Sequence, residues 1–166
     1  MPCPGAIPDV RHPVLSPLVE VWLQKEPTKF DYSIIVPVYF NEGSLWPTFK
    51  SIQAEVFARN PDLNGEVVFI DDGSGDGSFS QLMEIYQANP DRVQVIKLTR
   101  NFGQAGAILA GFVYARSQCW ISISADGQDP ITLIHEMITA MSSGGTGKRR
   151  TSCRDRSSGP GSRRSS

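Results

Sequence analysis

Short apolar runs alternate with longer segments of helical periodicity between residues 31 and 141. Each run has the length and composition of a strand that is buried on both faces, and apolar residues recur every three or four positions in the segments between them. Strands that alternate with helices form parallel βαβ units, so the pattern predicts an α/β fold with a mostly parallel sheet and flanking helices. The predicted strands are residues 33–38, 67–70, 93–98 and 120–123.

A helix is predicted after each strand, with a start signal for three of the four. Ser44 is predicted to cap the first helix, and Ser78 followed by Gln81 has the spacing of a capping box for the second. Asp129 is predicted to cap the fourth helix, with Pro130 at its first position. The predicted core positions on the four helices are, in order, Leu45, Phe49, Ile52 and Val56; Phe79, Leu82, Met83 and Tyr86; Ala105, Ile108, Leu109 and Phe112; and Ile131, Ile134 and Met141.

The alternating pattern stops at both ends of the chain. Residues 1–30 contain repeated prolines and no apolar h-region, so we expect a loose leader without a secretory signal, with a short helix near Leu18 to Gln24. Residues 142–166 contain no Val, Ile, Leu, Met, Phe, Tyr or Trp, and burial cannot offset the entropy of ordering such a segment, so we expect a disordered basic tail. The predicted sheet is incomplete where this tail begins, so truncation or a shifted reading frame is a second interpretation.

Composition narrows the possible ligands. The chain has 166 residues, 40% hydrophobic and 20% charged, which suits one globular domain. Residues 142–166 carry seven basic residues and one acidic residue, a net of +6, and the whole chain carries −1, so the preceding residues carry −7. An acidic body argues against nucleic-acid binding, whereas a divalent cation can still bring a phosphate ligand to it.

The cysteine spacing and the apolar runs argue against two further classes of protein, those stabilised by zinc or disulfides and those that span a membrane. Cys3, Cys119 and Cys153 form no CxxC pair, so neither structural zinc nor a disulfide framework is expected. No run of about 18 apolar residues exists, so no transmembrane segment is predicted in this chain.

Each predicted strand ends at a polar cluster. The clusters are residues 39–42, 71–74, 100–103 and 124–130. The carboxyl ends of parallel strands meet at one edge of the sheet, and ligands bind in the crevice there. The sequence therefore predicts one cleft that is lined by four segments far apart in the chain.

The Asp71-Asp72 pair is compatible with a metal site, a phospho-acceptor site or recognition of a base. A calcium loop that starts at Asp72 is rejected, because Met83 occupies the twelfth position, where a bidentate Glu is required. The glycines of the turn do not fit a dinucleotide fingerprint, and no P-loop motif occurs. A carboxylate here is better suited to accept hydrogen bonds from a base N–H or ribose hydroxyls, while Asp72 and Asp76 could equally brace the turn.

A second acidic cluster follows the fourth strand. In an extended turn, residues two apart point the same way, so Asp126 and Gln128 can share one cation. Mg²⁺ or Mn²⁺ takes one or two protein oxygens and completes its shell with phosphate oxygens and water. Such a cation would neutralise a diphosphate leaving group.

Residues 32–141 resemble the first half of a family 2 inverting glycosyltransferase with the GT-A fold, in the branch of dolichol-phosphate mannose synthases and bacterial polyprenyl-phosphate sugar transferases. The matching segments are 35–42, 69–77, 98–104 and 125–130. The resemblance implies a Rossmann-like nucleotide-binding half, residues 31–141, whose sheet is incomplete at the C-terminus. Two positions depart from the family pattern: Ser124 stands where the first Asp of Asp-x-Asp is usual, and Gly127 stands where Leu is usual.

The resemblance also implies roles for individual residues. Asp126 and Gln128 would hold Mg²⁺ or Mn²⁺ and the diphosphate, and Asp71 would contact the base. The residues expected to line the nucleotide site are Pro37, Val38, Tyr39, Asn41, Glu42, Asp71, Asp72, Asn101, Gly103, Ser124 and Ala125.

The implied reaction is transfer of a sugar from a UDP- or GDP-sugar to a lipid phosphate, polyprenyl or dolichyl, at the cytoplasmic face of a membrane. No general base is identified in the chain. Two alternatives remain open at this point: a nucleotide-sugar-binding fragment without catalysis, and a receiver-like phospho-acceptor domain.

Overall fold

A five-stranded sheet with helices on both faces forms the part of the chain described by the computed structural model, residues 19–22, 30–117 and 119–144. In chain order the elements are β1 (Val19–Trp22), β2 (Tyr32–Val38), α1 (Leu45–Ile52) with a π-helical turn (Gln53–Phe57), β3 (Gly65–Asp71), α2 (Ser78–Ala88), β4 (Val93–Leu98), α3 (Gln104–Tyr114), β5 (Trp120–Ser122) and α4 (Ile131–Gly144).

The strand order is β1-β4-β3-β2-β5, and every pairing except β1 with β4 is parallel. The predicted α/β fold and its four parallel strands are therefore confirmed. The helix predicted near Leu18 to Gln24 is wrong, because Val19–Trp22 is a strand paired antiparallel to β4, from Val19 opposite Leu98 to Trp22 opposite Val95. An open sheet edge supplies backbone partners that the local sequence does not reveal.

Two apolar layers cover the sheet. On one face α1, α2 and α4 bury Phe49, Leu82 and Ile134 against strand residues such as Phe69. The predicted core positions of α1 are all buried. On α4, Ile134 is buried together with Ile138, while the side chain of Met141 lies outside the described residues.

Helix α3 covers the other face and corrects one predicted stripe. Leu109 is 62% exposed and Ala105 is exposed, whereas Ala107 and Gly111 face the sheet. A Cβ atom on Gly111 would lie 2.6 Å from Cγ2 of Ile35. The helix packs closely through its smallest residues, so the large apolar residues are not the ones that are buried.

The described chain continues beyond the predicted end of the ordered domain. Helix α4 extends to Gly144, three residues past the expected boundary at 141. The predicted basic tail from residue 145 onward lies outside the described residues, as do residues 1–18 of the predicted leader. None of the helices in the described ranges is both long enough and apolar enough to cross a membrane.

A buried ion pair lies at the amino-terminal ends of β2 and β3. The polar clusters are at the other ends of these strands. The Glu66 carboxylate, fully buried on β3, accepts hydrogen bonds from Nε and the backbone N–H of Arg116, both at 2.7 Å. It also accepts one from the Ser33 hydroxyl at 2.6 Å. These contacts fix the connection between α3 and β5 to the centre of the sheet.

Candidate functional site

The four polar clusters meet at the carboxyl ends of the parallel strands, where they line a cleft of about 320 Å³. Nine of the eleven residues predicted for the nucleotide site lie in its wall. The structure adds two that the sequence prediction missed, Gln104 and Ala107, which belong to the first turn of α3. The lining residues are Pro37, Val38, Tyr39, Asn41, Asp72, Asn101, Gly103, Gln104, Ala107, Ser124 and Ala125.

The other two predicted residues, Glu42 and Asp71, lie outside the lining. The Glu42 carboxylate accepts a hydrogen bond from the Gly77 N–H at 3.0 Å. Asp71 is fully buried, and its Oδ1 accepts a hydrogen bond from the Ser74 N–H at 3.1 Å. Its Oδ2 has no hydrogen-bond partner among the described residues. Burial raises the pKa of Asp71, and the Ser74 hydrogen bonds and the Lys97 charge oppose this effect.

The loops that follow β2 and β3 are joined by a set of hydrogen bonds that we call the interlock. Four consecutive backbone N–H groups of the first loop each donate to a side chain of the second loop or of α2. In the other direction, the Gly77 N–H of the second loop donates to the Glu42 carboxylate. Phe40 N–H donates to Ser74 Oγ (3.1 Å), Asn41 N–H to Ser78 Oγ (2.9 Å), Glu42 N–H to Asp76 Oδ2 (3.2 Å) and Gly43 N–H to Gln81 Oε1 (3.1 Å).

The interlock overturns the capping box predicted for Ser78 and Gln81. Both side chains accept from the facing loop, and the N-cap position of α2 is Gly77, without a side-chain cap. The oxygens of these two side chains are therefore occupied by the N–H groups of Asn41 and Gly43 rather than by those of the first turn of α2. Asp76 also accepts the Ser78 N–H at 3.1 Å, which fits its predicted role as a brace of the turn.

Two other predicted caps are corrected in the same way. Ser44 occupies the N-cap position of α1, but its hydroxyl accepts no bond from the helix, and its single hydrogen faces the carbonyls of Ala125 (2.8 Å) and Asn41 (3.0 Å). Helix α4 begins at Ile131, one residue later than predicted, and the Asp129 carboxylate accepts a hydrogen bond from the Ser124 N–H. In each case the polar side chain closes the loop that carries Asp126.

Asp72 connects the β3 loop to the β4–α3 loop. Its Oδ1 accepts a hydrogen bond from the Phe102 N–H at 2.7 Å. Gly73, at φ +73°, allows a close approach of the two loops, because a Cβ there would lie 2.8 Å from the backbone of Arg100 and Asn101. Asp72 is the one carboxyl group in the cleft lining, and Phe102 holds it in place. Both members of the Asp71-Asp72 pair are buried, and of the two only Asp72 belongs to the cleft lining.

The acidic loop from Ser124 to Asp129 reaches the cleft lining through Ser124 and Ala125, and the predicted metal ligands Asp126 and Gln128 lie outside that lining. Asp126 is exposed, and its Oδ1 accepts a hydrogen bond from the Gln128 N–H at 3.0 Å. This bond and one from the Ser124 hydroxyl lower the pKa of Asp126. The carboxylate is therefore charged at neutral pH.

The donor set of this loop fits a cation that is shared with a ligand. The described residues include no group of three or more His, Cys, Asp or Glu that could hold a metal alone. A carboxylate and an amide two residues apart do suit Mg²⁺ or Mn²⁺, since these ions accept one or two protein oxygens and complete their shell with phosphate and water.

Two parts of the cleft differ in chemical character. Helix α3 begins at its wall, and the N-terminal end of a helix carries partial positive charge that favours an anion. The first residues after β2 present aromatic surface: Tyr39 and Phe40 are 50% and 55% exposed, with ring centroids 4.7 Å apart. Phe40 adopts φ +53°, an uncommon conformation for a bulky residue, and the interlock holds its N–H.

Comparison with known sequences gives consistent matches. Residues 33–161 match the model of the family described as Glycosyl transferase family 2. The uncharacterized glycosyltransferase YkcC of Bacillus subtilis (strain 168) is 43% identical over 107 residues, 64% of this chain and 32% of that protein. An undecaprenyl-phosphate 4-deoxy-4-formamido-L-arabinose transferase of Edwardsiella ictaluri is 35% identical over 112 residues, 68% of this chain and 34% of that protein. The chain thus spans about a third of the length of these relatives.

Solved structures show the same fold. S. aureus TarS 1-349 in complex with UDP-GlcNAc matches with a TM-score of 0.56 at 22% identity, over 68% of this chain and 31% of that one. The mannosyltransferase PcManGT from Pyrobaculum calidifontis, in complex with GDP-Man and Mn²⁺, also matches with a TM-score of 0.56 at 22% identity, over 71% of this chain and 34% of that one.

Proposed function

The chain belongs to glycosyl transferase family 2, since that family's model matches most of its length, and from this premise we propose that the cleft binds the nucleotide-sugar donor of a glycosyl transfer. The observation that carries the proposal is the convergence of four strand-end loops on one cleft, with the charged Asp126 next in the chain to the lining residue Ala125. The donor would be a UDP- or GDP-sugar, as in the complexes of the two structural neighbours.

The two ends of the cleft suit different parts of this donor. The apolar and aromatic wall of Pro37, Val38 and Tyr39 suits the base and ribose. Asn101, Gly103 and the beginning of α3 suit the diphosphate. Asp71 would accept a hydrogen bond from a base N–H, and its support is the Oδ2 that lacks a partner in the described chain. Glu42 is proposed to lie along the nucleotide, and its hydrogen bond from the Gly77 N–H would hold the neighbouring loop in place.

Asp126 and Gln128 would hold Mg²⁺ or Mn²⁺, as the donor set of their loop allows. When bound, the cation supplies positive charge that neutralises a diphosphate leaving group. The protein's own contribution is to hold the Asp126 carboxylate ionised and oriented, and to fix the opposite wall through the interlock.

We propose a polyprenyl or dolichyl phosphate as the acceptor of the whole reaction. The support is that relatives named undecaprenyl-phosphate sugar transferases are 35% identical to this chain. No residue of the described part is assigned as the general base. Donor binding without transfer is the second candidate, because the chain spans only about a third of these relatives.

Calorimetric titration of the 166-residue chain with UDP and GDP tests the donor proposal. We expect binding of one of them that strengthens when Mn²⁺ replaces EDTA, with an affinity weaker than micromolar, because the chain spans a third of its relatives. Inorganic phosphate serves as the control for simple anion binding. Folded protein that gives no heat with either nucleotide in Mn²⁺ would refute the proposal. Transfer of a radiolabelled sugar to a polyprenyl phosphate would exclude the second candidate.

A further inference from the structure

We propose that Ser44, at the N-cap of α1, and Thr48, in its first turn, are positioning residues for the cation-binding carboxylate of Asp126. This inference rests on the proposed function, because it assigns these hydroxyl groups a role at the cation site of the donor cleft. Neither residue lines the cleft, and neither would touch the nucleotide or the metal.

Both hydroxyl groups converge on one carbonyl. Ser44 Oγ lies 2.8 Å from the Ala125 oxygen, and Thr48 Oγ1 lies 3.2 Å from the same oxygen. The two residues are one helical turn apart, and the Thr48 N–H donates to the Ser44 carbonyl at 3.0 Å. Thr48 is 2% exposed, so its hydroxyl has little access to water as an alternative partner. A buried hydroxyl that donates to a loop carbonyl fixes that peptide in place.

The residue on the other side of Asp126 lies close to the same helix. Gly127 adopts φ +72°, and a Cβ atom there would lie 3.5 Å from Thr48 Oγ1. Both neighbours of Asp126 therefore contact Thr48 or lie next to it, which sets the direction in which the turn presents its exposed carboxylate. The hydrogen bond from the Gln128 N–H to Asp126 Oδ1 then orients the carboxylate within the turn.

The physical consequence is preorganisation. A carboxylate on a free loop loses conformational entropy when it binds a cation, whereas one on a fixed turn has already lost it. Residues that orient a metal ligand without touching the metal typically change metal affinity about 10- to 100-fold when they are removed. The Ser44 hydroxyl also lies 3.0 Å from the Asn41 carbonyl, so its one hydrogen is shared with that oxygen, whereas the Thr48 hydroxyl donates to Ala125 alone.

The test uses the full chain with Ser44→Ala, Thr48→Val and the double variant, and Thr48→Ser as the conservative rescue. Thr139→Val is the control for the Thr-to-Val change itself, because the exposed Thr139 hydroxyl donates to the His135 carbonyl on α4 at 2.8 Å, away from the loop. Calorimetry measures UDP and GDP affinity in Mn²⁺ and in EDTA. We expect the gain in affinity from Mn²⁺ to fall about tenfold in the double variant, while the affinity in EDTA, the Thr48→Ser variant and the control stay at wild-type values.

A second readout does not depend on any ligand. The amide hydrogens of Ser124 and Gln128 donate within the acidic loop, so their exchange should accelerate in the variants and not in Thr139→Val. Because Ser44 is only half-buried, Ser44→Ala is the variant to measure if Thr48→Val does not fold.

The outcomes separate the two proposals. A wild-type chain that binds nucleotide without any gain from Mn²⁺ refutes the cation site, and the positioning role with it. A wild-type gain that persists in the folded double variant overturns the positioning role alone. An equal loss of affinity in Mn²⁺ and EDTA also overturns it, because it would show general damage to the cleft.

Discussion

Asp71 is a buried carboxyl group with only one of its two oxygens hydrogen bonded among the described residues. Burial raises its pKa above the usual value of 3.8, so the folded state prefers the protonated form. The stability that this preference provides is fully present below about pH 3.8 and is lost as the pH rises through the folded-state pKa. The raised pKa of Asp71 therefore costs the fold stability as the pH rises from 3.8 toward neutrality, which is a cost typical of functional sites.

Asp71→Asn is expected to stabilise the fold at pH 7 and to have little effect near pH 3.5. The amide oxygen keeps the acceptor for the Ser74 N–H and removes the buried charge. Urea unfolding at the two pH values measures the difference. A variant that is less stable than the wild type at pH 7 would contradict this prediction and would show that the Ser74 hydrogen bonds and the Lys97 charge outweigh the cost of burial. The same variant should bind the nucleotide more weakly if Asp71 accepts a base N–H.

Asp126→Ala is expected to remove the Mn²⁺ dependence of nucleotide binding, whereas Ser124→Ala should change it little. A carboxylate is a much better ligand for a hard cation than a neutral hydroxyl, and Ser124 contributes a hydrogen bond that lowers the pKa of Asp126. Calorimetry with and without Mn²⁺ compares the two variants. A larger effect of Ser124→Ala would place the cation elsewhere.

At the scale of elements, two glycines in the left-handed region provide a matched comparison. Gly73 (φ +73°) would place a Cβ 2.8 Å from the Arg100 backbone, while Gly43 (φ +89°) has nothing within 4 Å. We expect Gly43→Ala to cost about 1 kcal/mol from backbone strain, and Gly73→Ala to cost clearly more, because two loops must also separate. Chemical denaturation measures both. Equal costs would show that the loops yield without penalty.

The strands were predictable because their signal is local. Runs such as residues 67–70 are buried on both faces and are bounded by turn residues, so their apolar sequence determines the assignment. β1 was not predictable, because its pairing depends on the edge of β4, distant in sequence. The buried face of α3 was misassigned because Gly111 and Ala107, rather than larger residues, make the close contact with the sheet.

The helix caps show a second limit of local reasoning. Ser78 and Gln81 have the spacing of a capping box, yet both serve a loop that precedes them by more than thirty residues. The same side-chain chemistry permits either partner, and only the three-dimensional arrangement decides between them.

At the scale of the whole molecule, the end of the sheet with Glu66 and the end with the cleft are expected to act independently. Glu66→Gln leaves the Arg116 guanidinium buried without a counter-charge, and it should destabilise the fold by about 3 kcal/mol. Nucleotide affinity of the folded fraction should be unchanged, because the ion pair lies at the opposite strand ends. Denaturation and calorimetry on the same sample measure both quantities.

Glu55→Gln is the control for that prediction. Glu55 pairs with Arg59 at 2.6 Å one helical turn away, and the Arg59 side chain is 49% exposed. Removing such a partly solvated pair should cost less than about 0.5 kcal/mol. A cost for Glu66→Gln as small as this one would show that the buried pair contributes little, and a parallel loss of nucleotide affinity would show that the two ends are coupled.

The location of the site was predictable from the sequence to a greater extent than its internal contacts. Strand ends of a parallel sheet converge by geometry, so the four clusters had to meet. Glu42 could not be assigned to the Gly77 N–H in advance, because that contact depends on how two loops pack across the sheet edge.

The interlock can form only when β2 and β3 pair in one register. Val38 lies opposite Asp71, and the loops that follow these residues share the interlock. A shift of one residue would move each donor by about 3.3 Å and would break every one of its hydrogen bonds together. A misaligned sheet therefore cannot form this wall of the cleft, so ligand binding can serve as a check that the chain has folded correctly.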